Sequence, residues 1–410
     1  MSTTPTCRFC ATPLVDTFVD LGMSPPCEDF LPQERLNGPE VFYPLHVRTC
    51  AACKLVQLEE YVAPEDIFTE YAYFSSFSDS WVEHARRYTH QMIDTLGLGS
   101  DSMVVELASN DGYLLKHFVE AGVPVLGIEP AQNVAEAARA VGVPTRAEFF
   151  GRELATTLRA EGVHPNLIAA NNVLAQVPDL NDFVGGIAIL LGDRGRVTIE
   201  FPHLWNLIEQ SQFDTIYHEH FSYFSFVTTW RILEAHGLTV VDVEELPTHG
   251  GSLRVHAEPA ASAAAPSGRA VELREREVNA GYDTMAPYLG FAPQVENVKR
   301  RLVEHLIAAK DAGKHVVGYG APGKGNTLLN YCGIRTDLLE YTVDRNPYKH
   351  GRFLPGTHIP VYAPERIAET KPDEILILPW NLEHEIVSQL AYAREWGAKF
   401  IIPIPTVKVI

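Results

Sequence analysis

Four of the six cysteines stand in two CxxC pairs, Cys7 with Cys10 and Cys50 with Cys53. At that spacing a tight turn presents two thiolates to one metal ion, and two such turns fill every vertex of a tetrahedral zinc site. A site with no open vertex is structural, and so small a segment has too little core to fold without its metal. The pairs lie about 40 residues apart, so the stretch between them must carry structure of its own. Redox dithiols are the competing use of the spacing; a disulfide framework is disfavoured, and a reducing compartment is expected. Cys27 and Cys332 have no partner in spacing and are expected to be packed, unreactive thiols.

The chain has 410 residues, too many for one ordinary core, and is 46% hydrophobic and 21% charged. That is the composition of a globular protein of about three domains. The net charge of −19, with no clustered Lys and Arg, disfavours nucleic acid and anionic membranes as partners. No apolar run approaches the roughly 20 residues of a membrane span, and the N-terminus lacks a basic stretch followed by an apolar one, so a cytoplasmic location is expected.

From Met103 the pattern becomes strand, glycine turn, helix. The first strand carries Glu106 and runs into a turn of small and polar residues, Ala108, Asn110 and Gly112 among them, before an amphipathic helix. Such a turn lets a ligand approach the backbone. The second strand ends in Glu129, where an acid is placed to hold both ribose hydroxyls of an adenosine. The turn lacks the dinucleotide GxGxxG, and its acids and amides suit the sulfonium cofactor S-adenosylmethionine better than NAD. Tyr113, Pro130 and Phe150 are counted with that site. A later strand ends in Asn171 and Asn172 at the same carboxyl edge, where ligands of open α/β sheets bind. Upstream, Trp81, Ala85, Tyr88 and Met92 recur at helical spacing as a helix core. A hairpin follows the sheet, with His249 and Gly250 in its connection, as substrate contacts or as a capped turn.

Residues from about 259 to 264 read as a linker. Beyond them HVVGYGAPGKGNTLLNYCG repeats the strand, glycine turn and helix. Without the GKST ending it is not a Walker loop, yet Gly320, Lys324 and Asn326, with Lys349 further on, suit an anionic ligand. A degenerate duplicate kept for packing is the alternative. Within the first Rossmann-like half, soon after its fifth strand, lies DTIYHEHFSYFS, Asp214 to Ser225. It sets histidines, a glutamate and tyrosines among aromatic residues, so that a His beside a Glu and a Tyr can take a proton. An exposed polar strand with an ordinary His pair would read similarly.

Together the two CxxC pairs, ELASNDGYL, GIEPAQNVA, NNVLAQVPD, YHEHFSYFS, THGGSLRV and GYGAPGKGN closely resemble the three-domain sugar C-methyltransferases of deoxysugar and antibiotic biosynthesis. The resemblance covers essentially the whole chain. It implies an α/β protein: a zinc-binding domain at 1–74, an S-adenosylmethionine-dependent methyltransferase domain at 75–257, and a Rossmann-like domain at 258–410 that takes the nucleotide of a TDP-linked 4-keto-6-deoxy sugar. It implies His220 as general base, with Tyr217, Glu219 and the loop residue Tyr71 in the active site. A monomer or weak homo-oligomer is expected. One position departs from the family. Gln176 stands where many members have His, and an amide can hold a hydroxyl or ketone but cannot exchange a proton near neutrality. Another S-adenosylmethionine-dependent reaction, by O- or N-methylation or epimerisation, and a non-catalytic nucleotide-sugar binding protein are the competing readings.

Overall fold

The computed structural model describes residues 4–63 and 75–410. They form two compact units, neither continuous in sequence. The first comprises Met1–Leu14, Cys50–His203 and Phe221–Thr284; the second comprises Val15–Thr49, Leu204–His220 and Met285–Ile410.

The first unit is built on a seven-stranded sheet in the order Leu238–Leu246, Ser252–Pro259, Arg196–Pro202, Leu167–Asn171, Val104–Leu107, Val125–Ile128, Thr145–Arg146. The five strands from Arg196–Pro202 onward pair in parallel, and the other two form the expected antiparallel hairpin. The central strands are buried along their length, as strands covered on both faces must be. One apolar cluster joins Ile168, Ile199 and Val255 to Phe183 and Trp230; another joins Val104 and Leu167 to Tyr88, Met92 and Phe118. The Asp79–Leu96 helix buries Ala85, Tyr88, Thr89 and Met92, one face at helical spacing, and ends at Gly97 in the left-handed region.

The second unit carries a six-stranded sheet in the order Val361–Tyr362, Thr342–Val343, Val316–Tyr319, Glu374–Ile377, Lys399–Ile402, Lys408–Val409. All its pairings are parallel except the last. The glycine turn after Val316–Tyr319 leads into the Gly323–Cys332 helix, which Gly333 closes. An antiparallel pair of strands, Asp16–Ser24 and Tyr43–Thr49, belongs to this unit, with Phe18 stacked on Phe291 at 4.5 Å. The expected pair of doubly wound α/β sheets is therefore present. Among the described residues, no helix is long and apolar enough to cross a membrane.

Candidate functional site

The four paired cysteines converge in the first unit. Their sulfurs all lie within 4.8 Å of one another, with Cys7 Sγ 3.5 Å from Cys53 Sγ and Cys10 Sγ 3.5 Å from Cys50 Sγ. Zinc bonds of about 2.3 Å require tetrahedral sulfurs to sit about 3.8 Å apart, so the donor set fits zinc. Tight turns supply the closeness: Ala11 and Lys54, each just past its pair, donate backbone N–H bonds to the Cys7 and Cys50 carbonyls at 2.8 and 2.9 Å. Cys7, Cys50 and Cys53 are also part of the apolar core of the first unit.

At the carboxyl edge of the seven-stranded sheet the first turn is wound tightly. Ala108, Asn110 and Gly112 all have positive φ, and so does Asn172 at the end of a neighbouring strand. Non-glycine residues hold that conformation only where the surroundings impose it, and such residues cluster at ligand sites as well as in tight turns. Gly112 has no freedom to change, since a Cβ there would lie 3.0 Å from Val143 Cγ2. Glu129 fastens the turn, accepting the Asn110 N–H at 3.0 Å and the Ala131 N–H at 2.9 Å, with Pro130 between these partners. Asn110 and Asp111 in turn accept the backbone N–H groups of Ser75 and Ser76.

This edge is rich in acceptors and acids. Among the described residues, the buried Oδ1 atoms of Asp111, Asn171 and Asn172 and both Glu106 oxygens meet no hydrogen bond of ordinary geometry. Burial first, then Glu129 and Asp111, push the Glu106 carboxyl well up, and the Tyr113 hydroxyl pulls weakly the other way. Burial likewise raises Glu129. Buried acceptors and acids crowded together fit a ligand that brings positive charge and N–H or O–H donors. The ammonium, sulfonium and ribose hydroxyls of S-adenosylmethionine meet that description; a phosphate does not. Phe150 packs edge-on against Phe183, with ring centroids 5.5 Å apart.

Sequence reasoning missed a cluster beside this edge. Trp81, counted as helix core, is only half-buried; it stacks on His84 at 4.9 Å and lies 5.2 Å from the His249 ring. His84 Nε2 sits 3.0 Å from the buried Glu200, which Arg254 holds ionised from 2.9 Å. Burial opposes that ionisation, but His84 and Arg254 together lower the Glu200 pKa. The signal available was an acid at a strand end; its partners lie 116 and 54 residues away. His249 and Gly250 form the hairpin turn, both at positive φ.

The YHEH motif lies in the second unit and its two histidines differ. His218 is buried, with Nε2 at 3.3 Å from the Pro44 carbonyl, and burial lowers its pKa. His220 is half-buried; its Nδ1 lies 3.1 Å from the Thr215 carbonyl, and the Tyr217 ring sits 4.1 Å from the imidazole. A carbonyl only accepts, so Nδ1 carries the proton and the neutral ring keeps its basic lone pair on Nε2. Burial first, then the Glu28 carboxylate, raise Glu219 to about 7, and Cys27 Sγ lies 3.9 Å from its Oε1. The Cys27 and Cys332 thiols are buried and pushed up, the latter to about 12, so both are inert packed thiols as expected. Gln176 is half-buried in the short turn Leu174–Gln176 of the first unit. Tyr71 lies outside the described residues.

The candidate anion-binding groups of the second unit already have partners within it. Lys324 Nζ donates to Asn381 Oδ1 at 2.5 Å and lies over the Trp380 ring, and burial lowers its pKa. Asn326 Nδ2 donates to the Cys27 carbonyl at 2.6 Å. Lys349 donates to the Ala321 carbonyl and pairs with Glu28 at 3.5 Å. Gly320 adopts φ +87 with Pro379 against the place of a Cβ.

Three family descriptions cover the chain end to end: a zinc binding domain at residues 7–68, a methyltransferase domain at 81–243 and a C-methyltransferase C-terminal domain at 247–405. C-methyltransferase NovU of Streptomyces niveus is 35% identical over 404 residues, spanning 98% of this chain and 96% of that relative. Among solved structures, 1,6-didemethyltoxoflavin-N1-methyltransferase of Burkholderia thailandensis is 19% identical over 50% of this chain and 94% of its own, with a TM-score of 0.36. Magnesium protoporphyrin IX methyltransferase of Synechocystis PCC 6803 is 15% identical over 44% and 81%, with a TM-score of 0.33. The three matched family descriptions and the full-length likeness at 35% identity lead to one conclusion: the chain belongs to the C-methyltransferase family.

Proposed function

We propose that this C-methyltransferase adds a methyl group to C3, the carbon beside the ketone, of a nucleotide-linked 4-keto-6-deoxy sugar, TDP being the expected nucleotide, in deoxysugar or antibiotic biosynthesis. The observation that carries the reading is the His220 imidazole, fixed on Nδ1 by the Thr215 carbonyl so that Nε2 is its basic atom. A carbon next to a ketone becomes a nucleophile only when its proton is removed, and a tautomerically fixed imidazole is suited to that task.

Bound at the acceptor-rich edge of the first unit, S-adenosylmethionine supplies an electrophilic methyl group. Glu129 is placed to hold its ribose, and Glu106, Asp111, Asn171 and Asn172 to meet its donors and positive charge. His220 Nε2 takes the proton from C3. The electron pair left on carbon is delocalised onto the ketone oxygen, where Tyr217 and a protonated Glu219 are the candidate donors. S-adenosylmethionine held at that edge would supply the methyl group to this carbon and be left as S-adenosylhomocysteine, while His220 releases its proton to solvent. Gln176 supports binding of a hydroxyl or ketone and takes no part in proton transfer.

The test is a mass-spectrometric screen of TDP- and other NDP-4-keto sugars with methyl-labelled cofactor, reading one added methyl on a ring carbon that has lost its proton. Methyl appearing on oxygen or nitrogen would overturn the C-methylation reading for this substrate class. His220→Asn is expected to lower kcat at least about a hundredfold while S-adenosylhomocysteine still binds. Near-normal turnover by that variant would remove His220 as the base.

A further inference from the structure

The carbonyl that fixes His220 is itself held in place by the residues on either side of it. Thr215 lies in a short turn, Phe213–Thr215, whose own bonds run from the Thr215 N–H and hydroxyl back to the Gln212 carbonyl at 3.2 and 2.8 Å. Before it, the fully buried Asp214 accepts the Trp380 indole N–H through Oδ2 at 2.7 Å. After it, the Ile216 carbonyl accepts the Thr327 hydroxyl at 2.9 Å, and both residues are at most 2% exposed. Thr327 is on the Gly323–Cys332 helix, one turn beyond Lys324 and next to Asn326. Trp380 follows the Glu374–Ile377 strand, and its ring carries Lys324 on its face.

Thus the residues flanking Thr215 are both tied down, Ile216 through its carbonyl to the glycine-turn helix and Asp214 through its side-chain carboxylate to Trp380, just past the neighbouring strand. A residue whose own N–H, following carbonyl and preceding side chain are all bonded has little freedom to turn its carbonyl, and a buried hydroxyl or indole partner is costly to lose. We propose that Thr327 and Trp380 are positioning residues for His220. By pinning Ile216 and Asp214 they aim the Thr215 carbonyl at Nδ1, which keeps the imidazole in the tautomer whose Nε2 is basic. The proposal rests on the reading of His220 as base, and it adds a consequence: the helix turn bearing Lys324 and Asn326 also sets the protonation pattern of the base.

The closing experiment uses the full-length, zinc-loaded protein and reads the tautomer directly, by long-range proton–nitrogen correlation of nitrogen-labelled histidines, with His220→Asn identifying the signal. Wild type is expected to show the Nδ1–H form. Thr327→Val keeps the shape of the side chain and removes the hydroxyl; it is expected to convert His220 to a mixture of tautomers. Its kcat should fall about tenfold or more with KM for S-adenosylmethionine within about twofold. Thr327→Ser should restore both. Trp380→Phe, which removes the indole N–H and leaves an aromatic ring, is expected to act in the same direction and decides the matter if Thr327→Val does not fold. A folded variant with the wild-type His220 spectrum and wild-type kcat overturns the proposal. Because the spectrum needs no turnover, a failure of the base assignment, read from the activity of His220→Asn, is separable from a failure of the positioning role.

Discussion

Glu219 shows what a half-buried carboxyl does to stability as well as chemistry. Its pKa of about 7 exceeds the unfolded value of about 4.3, so between those pH values the folded chain binds more protons than the unfolded one. Stability therefore falls as pH rises through that window, and above pH 7 the folded state carries a desolvated carboxylate. Glu219→Gln removes this cost. Thermal melts should show the variant more stable than wild type by about 2 kcal/mol at pH 8, the gain shrinking towards pH 5. A variant that melts lower than wild type at pH 8 would mean that a buried cation offsets the charge. At the carboxyl edge of the seven-stranded sheet the sensitive residue is Gly112. A methyl group there meets Val143 at 3.0 Å with φ at +79, so Gly112→Ala is expected to lose about 2 kcal/mol in urea unfolding and to weaken S-adenosylhomocysteine binding.

The cysteine turns are the element on which the N-terminal fold depends most. Cys7, Cys50 and Cys53 share an apolar cluster with Leu14, Leu55, Phe224 and Phe226, and Thr228 Oγ1 donates to the Cys53 carbonyl. Without metal, sulfurs at 3.5 Å would be buried thiols crowded in a core, so metal binding and folding are coupled. One zinc per chain is expected, and Cys50→Ser should lose it and lower Tm by about 10 °C or more. Metal analysis and a melt on the same sample check both. These turns were legible because everything that defines them lies within four residues, as do the sheet-edge acids Glu106 and Glu129 and the hairpin turn at His249. Lys324 was legible as a cation in a glycine turn, but its direction was not. The partner Asn381 lies 57 residues on, and the Trp380 to Asp214 bond spans 166. Contacts of that separation leave no periodic trace in a sequence, which is why the YHEH motif could be read for its residue types and not for its anchorage.

The same long separations decide how the molecule can be divided. Residues after 258 read as a domain of their own, yet the second unit takes in Val15–Thr49 and Leu204–His220, while the chain up to Thr284 packs with the first. Glu277 accepts the N–H groups of Phe226 and Val227 at 2.8 and 2.7 Å and pairs with the buried His203, so the Gly268–Asn279 helix is bound to the first unit by charge as well as packing. The six-stranded sheet, for its part, relies on the earlier segments. Phe291 would lose its stack with Phe18, Phe353 its bridge to Leu31, Asn326 its Cys27 carbonyl and the Gly356 N–H its Glu40 carboxylate. Trp380 would lose Asp214. Each leaves exposed apolar surface or a buried polar atom without a partner, at about 1–3 kcal/mol apiece, enough together to exhaust the stability of about 5–15 kcal/mol that a domain commonly has. A fragment of residues 258–410 is therefore expected to lack a cooperative unfolding transition under conditions where the full chain shows one. Circular dichroism through a urea titration makes the comparison, and a sigmoidal transition from the fragment alone would show that its sheet is self-sufficient.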